Sequence, residues 1–184
     1  MIESKLEKIA SDWNGKYTIE YYKISFADGS RSPETYHKVK YKYSESEIFI
    51  LVQTGFIETA RVITTLSTYT RPLEFEIDCV SPFENLFLRR KSRFKVKCTN
   101  QNFKHFLENK ALPIFDKIME TENFNPRIFT QNDELNNLIV LEFHLAFPKW
   151  CEIFHEINQF LKAIIDELNS DNRFISHNVY KEKN

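Results

Sequence analysis

Six of the nine residues from Arg89 to Lys97 are basic, in a chain whose formal net charge is −1. Guanidinium and ammonium groups neutralise phosphate, and interleaved aromatic rings stack on bases, so this run is a candidate anion or nucleic-acid contact. Its second half alternates: Arg93, Lys95 and Lys97 share one parity, and Phe94, Val96 and Cys98 the other. Alternation of this kind marks a strand with one charged and one buried face, which puts Phe94 and Val96 in the core rather than on the binding side. The preceding segment offers Glu74, Glu76 and Asp78 on its own polar parity. Antiparallel pairing of the two segments would make a cross-strand ladder of carboxylates and cations. The ladder explains the strand half. Arg89, Arg90, Lys91 and the adjoining Arg93 remain as a speculative anion or partner contact.

Other groups with chemical potential are fewer. Cys151 and His155 stand four apart, a spacing that sets two zinc ligands on one helix face. Two ligands do not make a site, and no metal is expected; His144, on the polar parity of its strand, could join only if the chain turned sharply, and His105 and His37 have no ligand-like neighbours in sequence. Cys79 and Cys98 face the core, roughly 15 Å apart at 3.3 Å per residue along an antiparallel pair, too far for a disulfide. Glu152 with Glu156, and Asp116 with Glu120, read as solvated helix faces. No serine sits in a Gly-x-Ser-x-Gly elbow and no cysteine carries a catalytic signature, so no catalytic residue is assigned. Only three glycines occur, Gly15, Gly29 and Gly55, no two closer than 14 residues. The closely spaced glycines of a dinucleotide fingerprint, P-loop or kinase loop are therefore absent, and no cofactor is expected.

These residues must be positioned by a chain of 184 residues, which suits one domain able to bury a core without metal or disulfide staples. The three cysteines, the charged N-terminus and the lack of an apolar run of about 20 residues predict a cytoplasmic chain without a membrane span. Ile2, Leu6, Ile9 and Trp13 predict an opening helix closed at Asn14-Gly15. Strands follow over Lys16 to Phe26, with a bulge at Tyr21-Tyr22, and over His37 to Tyr43, with 27–36 as a polar loop. Ile48 to Val52 reads as a strand buried on both faces, and Ala60 to Tyr69 and Leu73 to Cys79 as two more. The connection from Val80 to Ser92 leads to the basic strand.

From Thr99 the pattern becomes helical, with Thr99 or Asn100 as cap, an interruption at Pro113, and a second piece to about Glu122. A hairpin near Ile128 and over Asn137 to Phe147 comes next. Pro148 then opens a long helix whose stripe runs from Trp150 to Leu168. That stripe could cover the sheet or meet a second copy; covering the sheet is the commoner outcome.

The order of basic strand, helix pair, hairpin and closing helix is carried by Phe94-Lys95-Val96, Phe103 to Leu107, Ile114 to Met119, Leu138 to Phe143 and Trp150 to Leu168. It resembles uncharacterised bacterial α+β domains, a resemblance that implies a fold and no activity.

The expectation is a single α+β domain over 1–169 with a polar tail from 170 to 184. Its antiparallel, meander-like sheet of six to eight strands is packed on one face by the N-terminal, middle and C-terminal helices. In function it reads as a non-enzymatic module that binds a protein partner or itself. The alternatives are a small-molecule site lined by Phe and Tyr under the helices, and weak anion or nucleic-acid binding through the 89–93 loop.

Overall fold

The computed structural model describes residues 2–66, 73–80, 93–121, 124–132 and 137–170. Expectations for the rest of the 80–92 connection and for the tail beyond Ser170 lie outside the described residues. Helix α1 (Ile2–Asp12) leads into strands β1 (Lys16–Ser25), β2 (Arg31–Tyr43), β3 (Ser46–Thr54) and β4 (Thr59–Leu66). After β5 (Phe75–Cys79) and β6 (Phe94–Cys98) come α2 (Gln101–Phe106), a wide turn (Leu107–Ala111), a tight one (Leu112–Phe115) and α3 (Asp116–Thr121). Strands β7 (Arg127–Asn132) and β8 (Asn137–His144) precede the closing helix α4 (Ile153–Ser170).

The strands form one antiparallel sheet in the order β1-β2-β3-β4-β8-β7-β5-β6. The α+β class, the single sheet and the helices on one face match the sequence reading. The meander does not extend as far as expected: it covers β1 to β4, and the β7–β8 hairpin then inserts between β4 and β5. β8 takes the centre because it is the strand most able to lose both faces to protein. Ile139, Leu141 and Phe143 face the helices, while Val140, on the opposite face, is also buried. β3, expected in that role, buries Ile48, Ile50 and Val52 on its helix side, while Phe49 and Leu51 lie half-buried on the face that carries no helix.

The core is a layer of rings and branched side chains between sheet and helices. Phe115 lies 4.9 Å from Phe160 and 5.4 Å from Phe124 by ring centroids, and Phe143 lies 6.0 Å from Phe154. Tyr41, at the sheet end of this layer, donates to Asn158 Oδ1 of α4 at 3.0 Å. Because the stripe of α4 from Ile153 to Leu168 is buried in this core, it is spent on covering the sheet.

Local chemistry sets the element ends. α1 closes as expected, with Asn14 in the left-handed region (φ 52°) and Gly15 N–H donating to Ala10 at 2.7 Å. A Cβ on Gly15 would stand 2.6 Å from the Lys40 carbonyl oxygen, so glycine is required there for close approach of helix end and strand. Asn100 caps α2 by accepting from Phe103 N–H at 3.0 Å. Pro113 lies where the helical run breaks and resumes.

Several features differ from expectation: β5 begins at Phe75 rather than Leu73, and β8 ends at His144 rather than Phe147. β2 begins at Arg31, not His37, since the turn is only Phe26 to Ser30; Pro33 is tolerated because β3 pairs with β2 only from Thr35 onward. β1 carries no bulge: its register with β2 runs unbroken from Lys16–Lys40 to Ser25–Arg31. The parity change at Tyr21-Tyr22 arises because β1 is an edge strand whose side chains are exposed on both faces from Tyr21 to Lys23. The turns from Pro148 to Glu152 precede α4, which starts at Ile153.

Candidate functional site

The ladder predicted from the basic strand is present in part: its ion pairs run from Lys97, while Glu74 lies before β5 and Arg93 turns to Met119. β5 and β6 pair with Glu76 opposite Lys97 and Asp78 opposite Lys95. Lys97 Nζ lies 2.7 Å from Glu76 and 3.7 Å from Asp78. Arg127 of β7 joins from the other side, 3.1 Å from Glu76 and 3.9 Å from Asp78. Hydrogen bonds from Lys97 and then Arg127 hold the Glu76 carboxyl below its ordinary range, and that carboxylate in turn raises both cations. Lys38, Lys40 and Lys42 are paired in the same way, with Glu20 at 2.6 Å and Glu47 at 3.0 and 3.7 Å. Of the speculative contact residues, Arg89, Arg90 and Lys91 lie outside the described residues. Arg93 sends its guanidinium to the carbonyl of Met119, near the end of α3, where a cation offsets the unpaired helix carbonyls.

The thiols are poor nucleophiles. Burial pushes Cys79 up to about 12 and Cys151 up to about 11, and raises Cys98 as well. A thiol is reactive as thiolate, so these remain protonated and inert near neutrality. Cys151 sits in the turn before α4 and is buried, whereas His155 is exposed and bonded to Gln159 at 2.8 Å. No group of three metal-binding side chains occurs among the described residues. Glu152 is exposed; Glu156 is half-buried, with Oε2 shielded and without a hydrogen-bond partner, which departs from the solvated face expected of this pair. His37 is buried beside α1 and bonded to the Tyr17 hydroxyl at 2.8 Å; burial lowers its pKa, partly countered by Glu3.

What the structure brings together lies on the helix-free face of the sheet. Side chains of alternate parity from β2, β3, β4, β8 and β7 form a cleft of about 640 Å³ lined by Tyr36, Leu51, Gln53, Thr59, Arg61, Asn125, Arg127, Glu142 and His144, among others. Arg61 and Arg127 are register partners of Glu142 on either side of β8. Arg61 reaches it through Nε at 3.5 Å, an end-on contact rather than a two-pronged one. Beside these charges runs an apolar row, Phe49–Ile63–Val140–Phe129, formed by direct cross-strand neighbours. Its ends lie under cations, with Lys40 4.8 Å from the Phe49 ring and Arg127 5.0 Å from Phe129.

The cleft borders a corner of exposed rings. Tyr21 is 70% exposed, Phe56 66%, Tyr22 52% and Ile57 45%. Tyr21 projects from the opposite face of β1, whereas Tyr22 packs edge-on to Tyr36 at 5.3 Å and, where the β1–β2 hairpin meets the β3–β4 turn, Phe26 packs edge-on to Phe56 at 5.0 Å. The turn is anchored from below. Glu34 is buried, accepting from Phe56 N–H at 2.8 Å and Gln53 Nε2 at 3.1 Å, while Gly55 (φ 138°) passes so close to Pro33 that a Cβ would lie 2.4 Å from its carbonyl oxygen. Phe56 and Ile57 therefore ride on a held turn.

Neither cleft nor corner was assigned from sequence. The adjacent pair Tyr21-Tyr22, apolar on both parities, was the available signal. Arg61, Arg127 and Glu142 meet only through non-local pairing and leave no local pattern. No protein-family model, no curated protein and no solved structure matches this chain.

Proposed function

We propose that this chain is a non-enzymatic interaction module that docks a protein partner through the corner formed by Tyr22, Phe26, Phe56 and Ile57. The carrying observation is that the exposed apolar side chains Phe56 and Ile57, on an anchored turn, lie at the same corner as exposed Tyr22. Contiguous exposed apolar surface is costly to maintain in water and marks interaction sites. Aromatic side chains are also the residues that most often dominate binding energy. The inert thiols and the mutual pairing of the sheet's charges fit a binding role. A photo-reactive residue placed at position 56 is expected to cross-link one identifiable protein, or this chain itself, far more than the same residue at exposed Lys110. Equal labelling from the two positions would defeat the proposal.

The cleft favours a second reading, a small polar ligand held between Arg61 and Glu142 over Tyr36 and Leu51. Chemical shifts of the Arg61, Gln53 and His144 amides, followed during titration with small carboxylates and phosphate, test it. Shifts retained in Arg61→Ala would dismiss it.

A further inference from the structure

The carboxylates on the helix-free face of the sheet are not equally satisfied. Glu20 holds Lys38 at 2.6 Å, Glu47 holds Lys40 at 3.0 Å and Glu76 holds Lys97 at 2.7 Å, while Asp78 shares the two cations of Glu76. Glu142, in the cleft, has a single long contact. Arg61 meets it only through Nε at 3.5 Å, and Arg127 on its other side is already held by Glu76 at 3.1 Å. Among the described residues neither Arg61 nor Glu142 takes part in a hydrogen bond. The two Nη groups of the guanidinium fork and the carboxylate oxygens are thus without a bonded partner in a cleft that both residues line.

We infer that the cleft binds a free α-amino acid with a large apolar side chain, its carboxylate on the Arg61 fork and its ammonium on Glu142. This rests on the reading of the cleft as a small-ligand site and names the ligand. The charges disfavour simpler ions. A lone carboxylate on Arg61 would lie against the Glu142 carboxylate, and a lone amine on Glu142 would lie between two guanidiniums; like charges brought together cost binding. A zwitterion meets each group with the opposite sign and adds no net charge. In an α-amino acid one carbon separates the ammonium from the carboxyl group, which suits a cation and an anion only 3.5 Å apart. The free guanidinium fork matches a carboxylate in two-pronged geometry.

The ligand's side chain has an apolar wall to follow. Leu51 is the direct cross-strand neighbour of Arg61, on the side away from Glu142. Lys38, next to Leu51 on β2, is drawn off to Glu20 on β1 and leaves the leucine uncovered by its charge. The Tyr36 ring stands at the end of this path, braced edge-on by Tyr22 at 5.3 Å. The cleft, at about 640 Å³, falls within the about 300–1,000 Å³ of small-molecule sites and has room for a side chain the size of leucine or phenylalanine.

Calorimetric titration of the full chain with L-phenylalanine or L-leucine, at about pH 7 and low salt, is expected to show saturable binding of one molecule per chain. That binding should be at least tenfold tighter than that of phenethylamine, which lacks the carboxylate, of 3-phenylpropionate, which lacks the ammonium, or of glycine, which lacks the side chain. Glu142→Gln should weaken L-phenylalanine at least tenfold without weakening 3-phenylpropionate. Arg61→Gln should weaken L-phenylalanine at least tenfold without weakening phenethylamine. Both side chains reach solvent, so both variants should retain the wild-type circular dichroism. Absence of amino-acid binding, binding matched by any of the three analogues, or binding indifferent to either variant overturns the inference. If 3-phenylpropionate bound as tightly as L-phenylalanine and lost that binding in Arg61→Gln, the cleft would stand as a ligand site while the amino-acid assignment fell.

Discussion

Tyr41 and Asn158 form a buried side-chain hydrogen bond between sheet and closing helix, and burial raises the Tyr41 hydroxyl above its ordinary range. Removing that hydroxyl with Tyr41→Phe leaves the Asn158 amide oxygen buried and unpaired, so urea unfolding should register a loss of about 1–3 kcal/mol. Thr64 is the opposite case. Its hydroxyl is fully buried on the core face of β4 without a partner. Thr64→Val removes an unsatisfied group at nearly constant shape and should stabilise the fold by about 1 kcal/mol by the same measurement. His37 ties stability to pH. Its ring titrates near 6.5 when unfolded and lower when folded, because burial disfavours the cation. Below pH 6.5 the unfolded chain takes up a proton that the folded chain resists, so this contribution is intact above 6.5 and is lost as pH falls through the window beneath it. The unfolding midpoint should therefore drop between about pH 7.5 and about pH 5 by more in wild type than in His37→Gln. Residues of this kind are half-legible in sequence. The Tyr41 parity marks it as core, but nothing local says that Asn158, 117 positions away, completes its hydrogen bond.

At the scale of elements, parity and capping were legible and registration was not. The alternation of Phe94 to Cys98 and of the acidic segment before it was enough to place β5 against β6 and to pair their charges. Asn100 and Gly15 marked helix ends by their own chemistry. The continuous run Ile48 to Val52 misled because a half-buried open face tolerates Leu51 and, under the Lys40 cation, Phe49, so apolar on both parities did not mean covered on both faces. The Pro148 signal marked a chain reversal rather than the first turn of α4. The junction of α1 with β2 gives a test at this scale. Gly15→Ala forces a methyl to within 2.6 Å of the Lys40 carbonyl oxygen and 2.9 Å of Tyr41 Cβ. Neither atom lies at the end of a flexible side chain, so α1 must lift or β2 must move, at a cost of about 1–3 kcal/mol in thermal or urea unfolding.

Across the whole molecule, stability should fall from the centre of the sheet toward the β1–β2 hairpin. β8 and β4 are paired on both sides and covered by α4, whereas β1 is an edge strand whose Tyr21, Tyr22 and Lys23 are exposed. Native-state hydrogen exchange should find amides of 139–143 opening only with global unfolding and those of 21–31 at well below that free energy; uniform protection would contradict this gradient. Strand order is the part of the fold that the sequence could not disclose, because it depends on which distant strand best fills the centre, and the apolar β8 outcompeted β5 for the edge of β4. That insertion also has a consequence in time. A ribosome delivers β1 to β4 first and β8 roughly seventy residues later, on the order of 4–14 s at ordinary elongation rates. Throughout that interval the nascent chain carries an unfinished sheet whose Ala60-Val62-Thr64-Leu66 margin awaits a strand not yet made. Chains halted before residue 137 should therefore be captured by holdase chaperones or precipitate, and those released after α4 should not.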